Sequence, residues 1–175
     1  MPDGHASRSR GRDGIGDRQR GSTDERTRGV DTRRARLDVI GWREWVTLTD
    51  WGVARIKAKI DTGARTSALH AFRLEEYRVD GRPWVRFEIH PHQRSKADAL
   101  VVTAPVREYR RVKSSNGLVQ QRPVVRTSLT VAGHTFPVDL TLTNRDEMGF
   151  RMLIGRAALR RRFLIDPAAS FLGGH

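Results

Sequence analysis

Residues Asp61-Thr62-Gly63 place a carboxylate, a hydroxyl and a glycine next to one another. A carboxylate can act as a general base toward water, and two carboxylates held close together share a proton, so that one serves as acid and the other as base. The glycine would allow a second backbone to approach the carboxylate. Asp, Thr and Gly also fit an ordinary strand ending, so the tripeptide alone leaves a structural role open.

The residues before the tripeptide predict how Asp61 is positioned. Residues 55–60 alternate between basic and apolar side chains, which is the period of a half-buried strand. Asp61 is therefore expected at the tip of a strand. Near the C-terminus, apolar residues 152–154 run through Gly155 into a helix-forming segment, and we predict a helix over Ile154–Arg162.

Further short apolar segments lie between turn-forming residues. Asp80-Gly81, Asn116-Gly117 and Gly133 each stand between two such segments, which is typical of hairpins. Many short strands at this spacing predict an all-β barrel. The chain has no internal repeat, so a second copy of the motif would have to come from a second chain.

The other aspartates are weaker candidates for catalysis. Asp50 and Asp80 lie in predicted turns, and Asp166 precedes a proline, where a turn or cap role is expected. Asp139 lies within an alternating strand, and we expect it to face the solvent.

Residues Asp61–Ala71 resemble the signature of a bacterial family of retropepsin-like aspartic peptidases that is linked to ribosomal-protein modification and also labelled "ATP-dependent zinc protease". Met152–Leu159 resembles the apolar-apolar-Gly-Arg element that such peptidases pack beside their Asp-Thr-Gly. The resemblance covers about residues 38 to 172. Its other matching blocks, in order, are residues 112–117, 122–125, 140–145 and 163–167.

The resemblance implies a closed acid-protease barrel with one short C-terminal helix, and Asp61, Thr62 and Gly63 as the catalytic residues. Because such peptidases use two carboxylates, it also implies a homodimer that brings Asp61 together with its symmetry mate. The residues implied to bind substrate are Ala64, Arg65, Arg122 and a flexible hairpin that closes over the substrate, formed by Lys113, Ser114, Ser115 and Asn116.

The charge near these elements indicates the substrate class. Arginines crowd residues 107–126, and Arg65 stands beside the catalytic tripeptide, so an acidic peptide would be attracted. The family resemblance implies a glutamylated ribosomal protein with an oligoglutamate tail as substrate. It further implies ribosomal association and a glutamate-ligase partner.

Composition limits the remaining possibilities. The chain has 175 residues, a net charge of +13 and no cysteine, so disulfides and thiolate ligands are excluded. Residues 1–36 hold ten arginines, six acidic residues and almost no apolar residues, and we predict a disordered basic arm ahead of a single domain over residues 37–175. Without a long apolar run or an export segment, we expect a cytoplasmic protein that binds no membrane.

Two other functions remain open. A basic, non-catalytic module could bind acidic peptides or ribosomal RNA. A zinc peptidase, as the older label says, could use His90 and His92 with His70 or His134, although the His-Glu-x-x-His spacing does not occur. We expect no cofactor and no metal. The phosphate-binding Gly-rich loop is missing too, so a nucleotide requirement would belong to a partner ligase.

Overall fold

A computed structural model describes residues 37–92, 98–113, 117, 119–144 and 149–174. The predicted arm at residues 1–36 lies outside these ranges. The elements, in chain order, are β1 (Asp38–Gly41), β2 (Arg43–Leu48), a 3-10 turn (Thr49–Trp51), β3 (Val53–Asp61), β4 (Ser67–His70), β5 (Phe72–Val79), β6 (Arg82–Ile89), β7 (Leu100–Pro105), β8 (Glu108–Lys113), β9 (Val119–Val131), β10 (His134–Thr143), β11 (Met152–Gly155), α1 (Arg156–Leu159) and β12 (Phe163–Asp166).

The largest sheet closes on itself. Its strands follow the order β10, β4, β11, β3, β2, β9, and β9 pairs again with β10, so that these strands form a ring, with β8 attached to β9. Strands β5, β6 and β7 form a second sheet, and β1 pairs in parallel with β12. The predicted all-β class with a short C-terminal helix is confirmed.

The alternation that predicted β3 is also confirmed. Ile56, Ala58 and Ile60 are buried in the main apolar core, while Arg55 and Lys59 are exposed. Leu129 of β9, Leu140 of β10 and Met152 of β11 are fully buried in the same core. Strand β3 is therefore held by its inner face, and its end, where Asp61 lies, is fixed by the core.

The hairpins follow their turn residues. Asp80 and Gly81 both have positive φ angles, 48° and 74°, which suits the two-residue turn between β5 and β6. Ala132 and Gly133 have similar angles between β9 and β10. Residues 114–116 and 118, in the predicted hairpin between β8 and β9, lie outside the described ranges.

The predicted helix over Ile154–Arg162 is wrong at both ends. Ile154 and Gly155 remain in β11 because they pair with Ile60 and Asp61 of β3. The helix ends at Leu159, and Arg161 then takes a left-handed φ of 63° that a helix cannot continue. None of the helices in the described ranges has the length and apolar character needed to span a membrane.

Candidate active site

Asp61 is positioned by two parallel strands. Strand β3 ends at Asp61, and β11 runs beside it in register, so that Gly155 lies opposite Asp61. A Cβ atom on Gly155 would lie 2.6 Å from the backbone C and O atoms of Thr66, closer than side chains tolerate. Only glycine fits at this position, because the chain after Asp61 folds back directly over β11.

The Asp61 carboxylate makes two hydrogen bonds within its own loop. Its Oδ1 atom accepts the N–H groups of Gly63 and Ala64, each at 3.0 Å. None of the described residues donates to the other oxygen, Oδ2, and the side chain is partly exposed. The loop therefore fixes the orientation of the carboxylate through one oxygen and leaves the other available for chemistry.

Arg156, the first residue of α1, holds this loop. Its Nη1 atom donates to the carbonyl oxygens of Thr62 at 2.6 Å and Gly63 at 2.8 Å. The backbone N–H of Arg156 donates to the carbonyl of Ala64 at 2.9 Å. The start of α1 thus satisfies three consecutive carbonyl groups that an exposed loop would otherwise leave to water.

Ser67 connects the loop to β11 from the other side. Its Oγ atom accepts the N–H of Gly155 at 3.1 Å, and both residues are buried. Sequence reasoning did not identify Ser67 or Arg156 as site residues. The Gly155-Arg156 dipeptide was the available signal, although nothing local indicates that its guanidinium reaches residues 62 and 63.

The predicted site residues fall into three groups. Asp61, Thr62, Gly63 and Ala64 form one loop, in which Thr62 and Gly63 are exposed; no described residue hydrogen-bonds to the Thr62 hydroxyl. Arg65 follows directly and is exposed. Arg122 is buried, 9% exposed, and its Nη2 atom donates to Gln120 at 3.0 Å. The remaining group lies outside the described residues; it comprises Ser114, Ser115, Asn116 and the side chain of Lys113.

A cavity of about 480 Å³ adjoins the loop on the Arg65 side. Its walls come from the residues after the catalytic tripeptide and from β8, β9, β10 and α1. The lining residues are Arg65, Thr66, Ser67, Glu108, Arg110, Arg126, Pro137, Val138, Asp139, Ala157 and Ala158.

Asp139 was predicted to face the solvent; it lies on the partly exposed face of β10 between the buried Val138 and Leu140, and arginines surround it there. Arg126 binds it through two hydrogen bonds of 2.7 and 3.1 Å, and Arg107 and Arg110 approach to 3.7 and 3.8 Å. The Arg126 hydrogen bonds, assisted by the charges of all three arginines, lower the pKa of Asp139 below its usual value, against the opposing effect of burial. Part of the predicted cationic field is thereby neutralised.

The turn roles of Asp80 and Asp166 are confirmed, and Asp166 accepts the N–H of Ala168.

A second, mainly apolar cavity of about 470 Å³ lies on the Thr62 side of the loop. It is lined by Thr62, Arg156, Leu159, Arg160, Phe163 and Ile165. Close to it in the chain, Leu164 of β12 pairs with Val39 of β1, and both side chains are exposed. The Asp61 loop is thus flanked by a charged cavity and by an apolar cavity.

The histidines that the zinc alternative would use have different partners in the structure. His90 pairs with Glu88 at 3.1 Å, which lowers the pKa of Glu88, while His134 pairs with Asp38. His70 and His90 both stack with Phe72. Within the described ranges, no group of three or more His, Cys, Asp or Glu residues is arranged to hold a metal ion.

A closed all-β ring that presents Asp-Thr-Gly at a strand end, beside an apolar-apolar-Gly-Arg strand, defines a protein with the fold of retropepsin-like aspartic peptidases. The chain belongs to the RimB-like family, described as retropepsin-like aspartic endopeptidase RimB, whose sequence pattern matches residues 39–174. The family resemblance found in the sequence is confirmed.

Similar proteins carry this region within longer chains. A probable alpha-L-glutamate ligase from Shewanella halifaxensis (strain HAW-EB4) is 45% identical over 136 residues, which are 78% of this chain and 30% of that protein. One from Desulfotalea psychrophila (strain LSv54 / DSM 12343) is 42% identical over 130 residues, or 74% and 28%. The chain therefore spans about 30% of the length of these curated relatives.

A solved structure supports the fold. The crystal structure of Lpg0085 from Legionella pneumophila, a protein of unknown function (DUF785), matches with a TM-score of 0.63 and 26% identity. The match covers 78% of this chain and 98% of that chain.

Proposed function

We propose that the chain is an aspartic-type peptidase that works as a homodimer, in which the two Asp61 carboxylates activate one water molecule. The proposal rests on the hydrogen bonding of the two oxygens of the Asp61 carboxylate. One oxygen is fixed by two backbone N–H groups, while the other accepts no hydrogen bond from the described residues and is reachable from solvent. A carboxylate held in this way has a fixed orientation and can still accept further hydrogen bonds.

The paired carboxylates would divide the chemistry between them. Because two like charges so close cannot both ionise, the pair shares one proton and titrates as a unit. The ionised carboxylate takes a proton from water as the water oxygen attacks the peptide carbonyl carbon, and the protonated one donates to the carbonyl oxygen. When the carbonyl re-forms, the C–N bond breaks and the leaving nitrogen receives the proton taken from water.

The surface on the Thr62 side of the loop supports a dimer. The apolar cavity lined by Thr62, Leu159 and Phe163 adjoins the loop of the carboxylate that needs a partner. A two-fold interface brings the same residue of both copies to the axis, so one contact at this surface would complete the catalytic pair. Apolar surface at this point would be covered in the dimer.

The substrate we propose is an acidic peptide, in particular the oligoglutamate tail of a ribosomal protein. Arg65 next to the catalytic tripeptide supports this, as does the net charge of +13. The relatives named probable alpha-L-glutamate ligase carry the same kind of region within a longer chain, which supports a functional link between glutamate addition and this domain. We therefore propose a glutamate-ligase partner, ribosomal association, a cytoplasmic location and a peptidase domain over residues 37–175.

Mixing experiments with Asp61→Asn test the dimeric mechanism. We expect this variant to lower kcat/KM on a fluorogenic oligoglutamate peptide by at least about a thousandfold, because the amide cannot accept the proton of water. When equal amounts of wild type and variant are allowed to exchange subunits, mixed dimers contain one carboxylate. The activity per wild-type chain should then fall to roughly half, as random pairing requires.

Three results would contradict the proposal. An active Asp61→Asn variant with unchanged thermal unfolding would remove Asp61 from catalysis. If activity instead depends only on the amount of wild-type chain after exchange, verified by mass spectrometry of the mixed dimers, one carboxylate suffices. Tight binding of the acidic peptide by the wild type without any cleavage would favour the non-catalytic binding module.

A further inference from the structure

The cavity on the Arg65 side of the loop carries an excess positive charge. Three arginines and two carboxylates line it, namely Arg65, Arg110, Arg126, Glu108 and Asp139. Its volume of about 480 Å³ falls in the range of small-molecule and side-chain binding sites. The three arginines differ in how far each is available to a ligand.

Two of the three arginines are already paired. Arg126 holds Asp139 in a two-point interaction, and Arg110 binds Glu108 while also facing Asp139. Arg65 differs, because no carboxylate of the described residues lies within ion-pair distance of it, and its side chain is exposed. The uncompensated charge of the cavity is therefore located at Arg65.

The wall that carries Arg65 is continuous with the catalytic loop. The carbonyl of Arg65 accepts the N–H of Ala157 in α1 at 3.0 Å, and the backbone of Thr66 packs on Gly155, which lies opposite Asp61. These contacts join the cavity wall and the catalytic carboxylate into one rigid unit. A peptide that places its scissile bond at Asp61 would therefore pass the mouth of this cavity with a neighbouring residue.

We infer that this cavity binds the side-chain carboxylate of a substrate residue close to the scissile bond, that Arg65 is its cationic partner, and that Asp139 limits its capacity. The inference rests on the proposed peptidase function. Asp139 occupies Arg126 and Glu108 occupies Arg110, so a ligand carboxylate finds one free guanidinium instead of three. A second ligand carboxylate would be repelled by Asp139 itself.

Asp139 is thus a specificity-determining residue in this arrangement. With Asp139 present, the cavity accepts a single acidic side chain and releases it readily, which suits a peptidase that must turn over a highly charged tail. Without it, Arg126 would also be available for ligand carboxylates, while Arg110 keeps its pair with Glu108, and acidic peptides would be held more tightly.

Direct binding measurements in the Asp61→Asn background separate this inference from catalysis. The probe is a fluorescein-labelled peptide of six glutamates, and the matched ligand is the same peptide with six glutamines. We expect Arg65→Gln to weaken hexaglutamate binding about tenfold, and Asp139→Asn to strengthen it by several-fold. The hexaglutamine peptide should bind weakly and respond to neither substitution.

Arg82→Gln is the matched control for charge. Arg82 is exposed at the start of β6, outside the cavity lining, and its loss removes the same charge from the chain. Equal weakening by Arg65→Gln and Arg82→Gln would overturn the inference, since a general field would then explain binding. Unchanged hexaglutamate binding by a folded Arg65→Gln variant, with wild-type thermal unfolding, would also overturn it.

The two proposals fail in different ways. If hexaglutamate binding depends on Arg65 but the wild type cleaves no peptide, the cavity stands and the peptidase function falls. If the wild type cleaves peptides and Arg65→Gln leaves the ratio of KM for glutamate and glutamine substrates unchanged, the peptidase stands and the cavity assignment falls.

Discussion

Glu44 and Asp61 both accept backbone hydrogen bonds through their carboxylates, and they do so in opposite ways. Glu44 in β2 is completely buried, and both of its oxygens are used: Oε1 accepts the N–H groups of Gly41 at 2.6 Å and Leu172 at 2.9 Å, and Oε2 accepts that of Gly173 at 3.1 Å. Asp61 is partly exposed, and a single oxygen accepts both of its loop hydrogen bonds.

Under the proposed function, the same chemical group serves structure in one region and chemistry in the other. A fully buried carboxylate is tolerated only when its oxygens are satisfied, and Glu44 meets this condition by joining the start of the domain to its C-terminal segment. Asp61 needs no such saturation because solvent reaches it. Its Oδ2 atom, to which no described residue donates, is the group that a water molecule or a second carboxylate can contact.

Glu44→Gln should give the largest loss of stability. The amide NH₂ group would replace one accepting oxygen and face a backbone N–H, so at least one buried donor would lose its partner. We expect the free energy of unfolding to fall by about 3 kcal/mol. Asp61→Asn should change it by less than about 1 kcal/mol, because the exposed loop can relax. Urea denaturation of both variants measures the two values.

Activity should show the reverse order for these two variants. Under conditions in which Glu44→Gln remains folded, its kcat/KM should stay within a few-fold of wild type, whereas Asp61→Asn should be inactive. A comparable loss of stability in both variants would contradict the division of roles, because it would mean that Asp61 is also a structural carboxylate.

Gly155→Ala tests the close approach of the backbone behind Asp61. The added methyl group would lie 2.6 Å from the backbone of Thr66, which has no flexible end that could move aside. We expect a loss of about 2 kcal/mol of unfolding free energy together with a reduced kcat, since β11 and the loop must separate. Gly133→Ala is a useful contrast: its added methyl meets no neighbouring atom, and its strain comes from a φ of 75° alone. A Gly155→Ala protein with wild-type stability would show that the loop adjusts freely.

The sequence predicted the parts of this site that depend on local pattern. Alternation placed Asp61 at the end of β3. The packing of the Gly155 segment beside it came from the family resemblance, while local pattern assigned Gly155 to a helix. Local pattern did not reveal that Arg156 reaches back 93 residues to Gly63, or that Arg126 and Asp139 pair across two strands. Such contacts depend on strand register and on the direction of long side chains, which are set by tertiary packing. The predicted helix began too early for the same reason, since Ile154 pairs with β3 and remains in a strand.

Arg156→Gln should have a smaller effect than the backbone changes. Its guanidinium joins two carbonyls of the catalytic loop, but the loop keeps the backbone hydrogen bond from residue 156 to Ala64. We expect kcat to fall about tenfold with little change in KM, because the Asp61 loop would sample more orientations. Arg82→Gln removes the same charge from an exposed position outside both cavities and serves as the control in steady-state assays. Equal losses of kcat in the two variants would indicate an electrostatic effect instead of loop positioning.

Asp139→Asn should produce the smallest change, and one that depends on pH. Arg126 and its neighbours lower the folded-state pKa of Asp139, so the interaction stabilises the fold above the unfolded pKa, about 3.9, and is lost as pH falls through the folded value. Wild type should therefore be more stable than the variant at pH 6, by less than about 1 kcal/mol, and the two should converge as the pH falls through the lowered folded-state pKa of Asp139. Arg126→Gln should show the same convergence because it removes the other half of the pair. Denaturation curves that stay parallel from pH 6 to pH 2 would mean that the arginines around Asp139 do not stabilise its charge, and the electrostatic account of this cavity would then have to be abandoned.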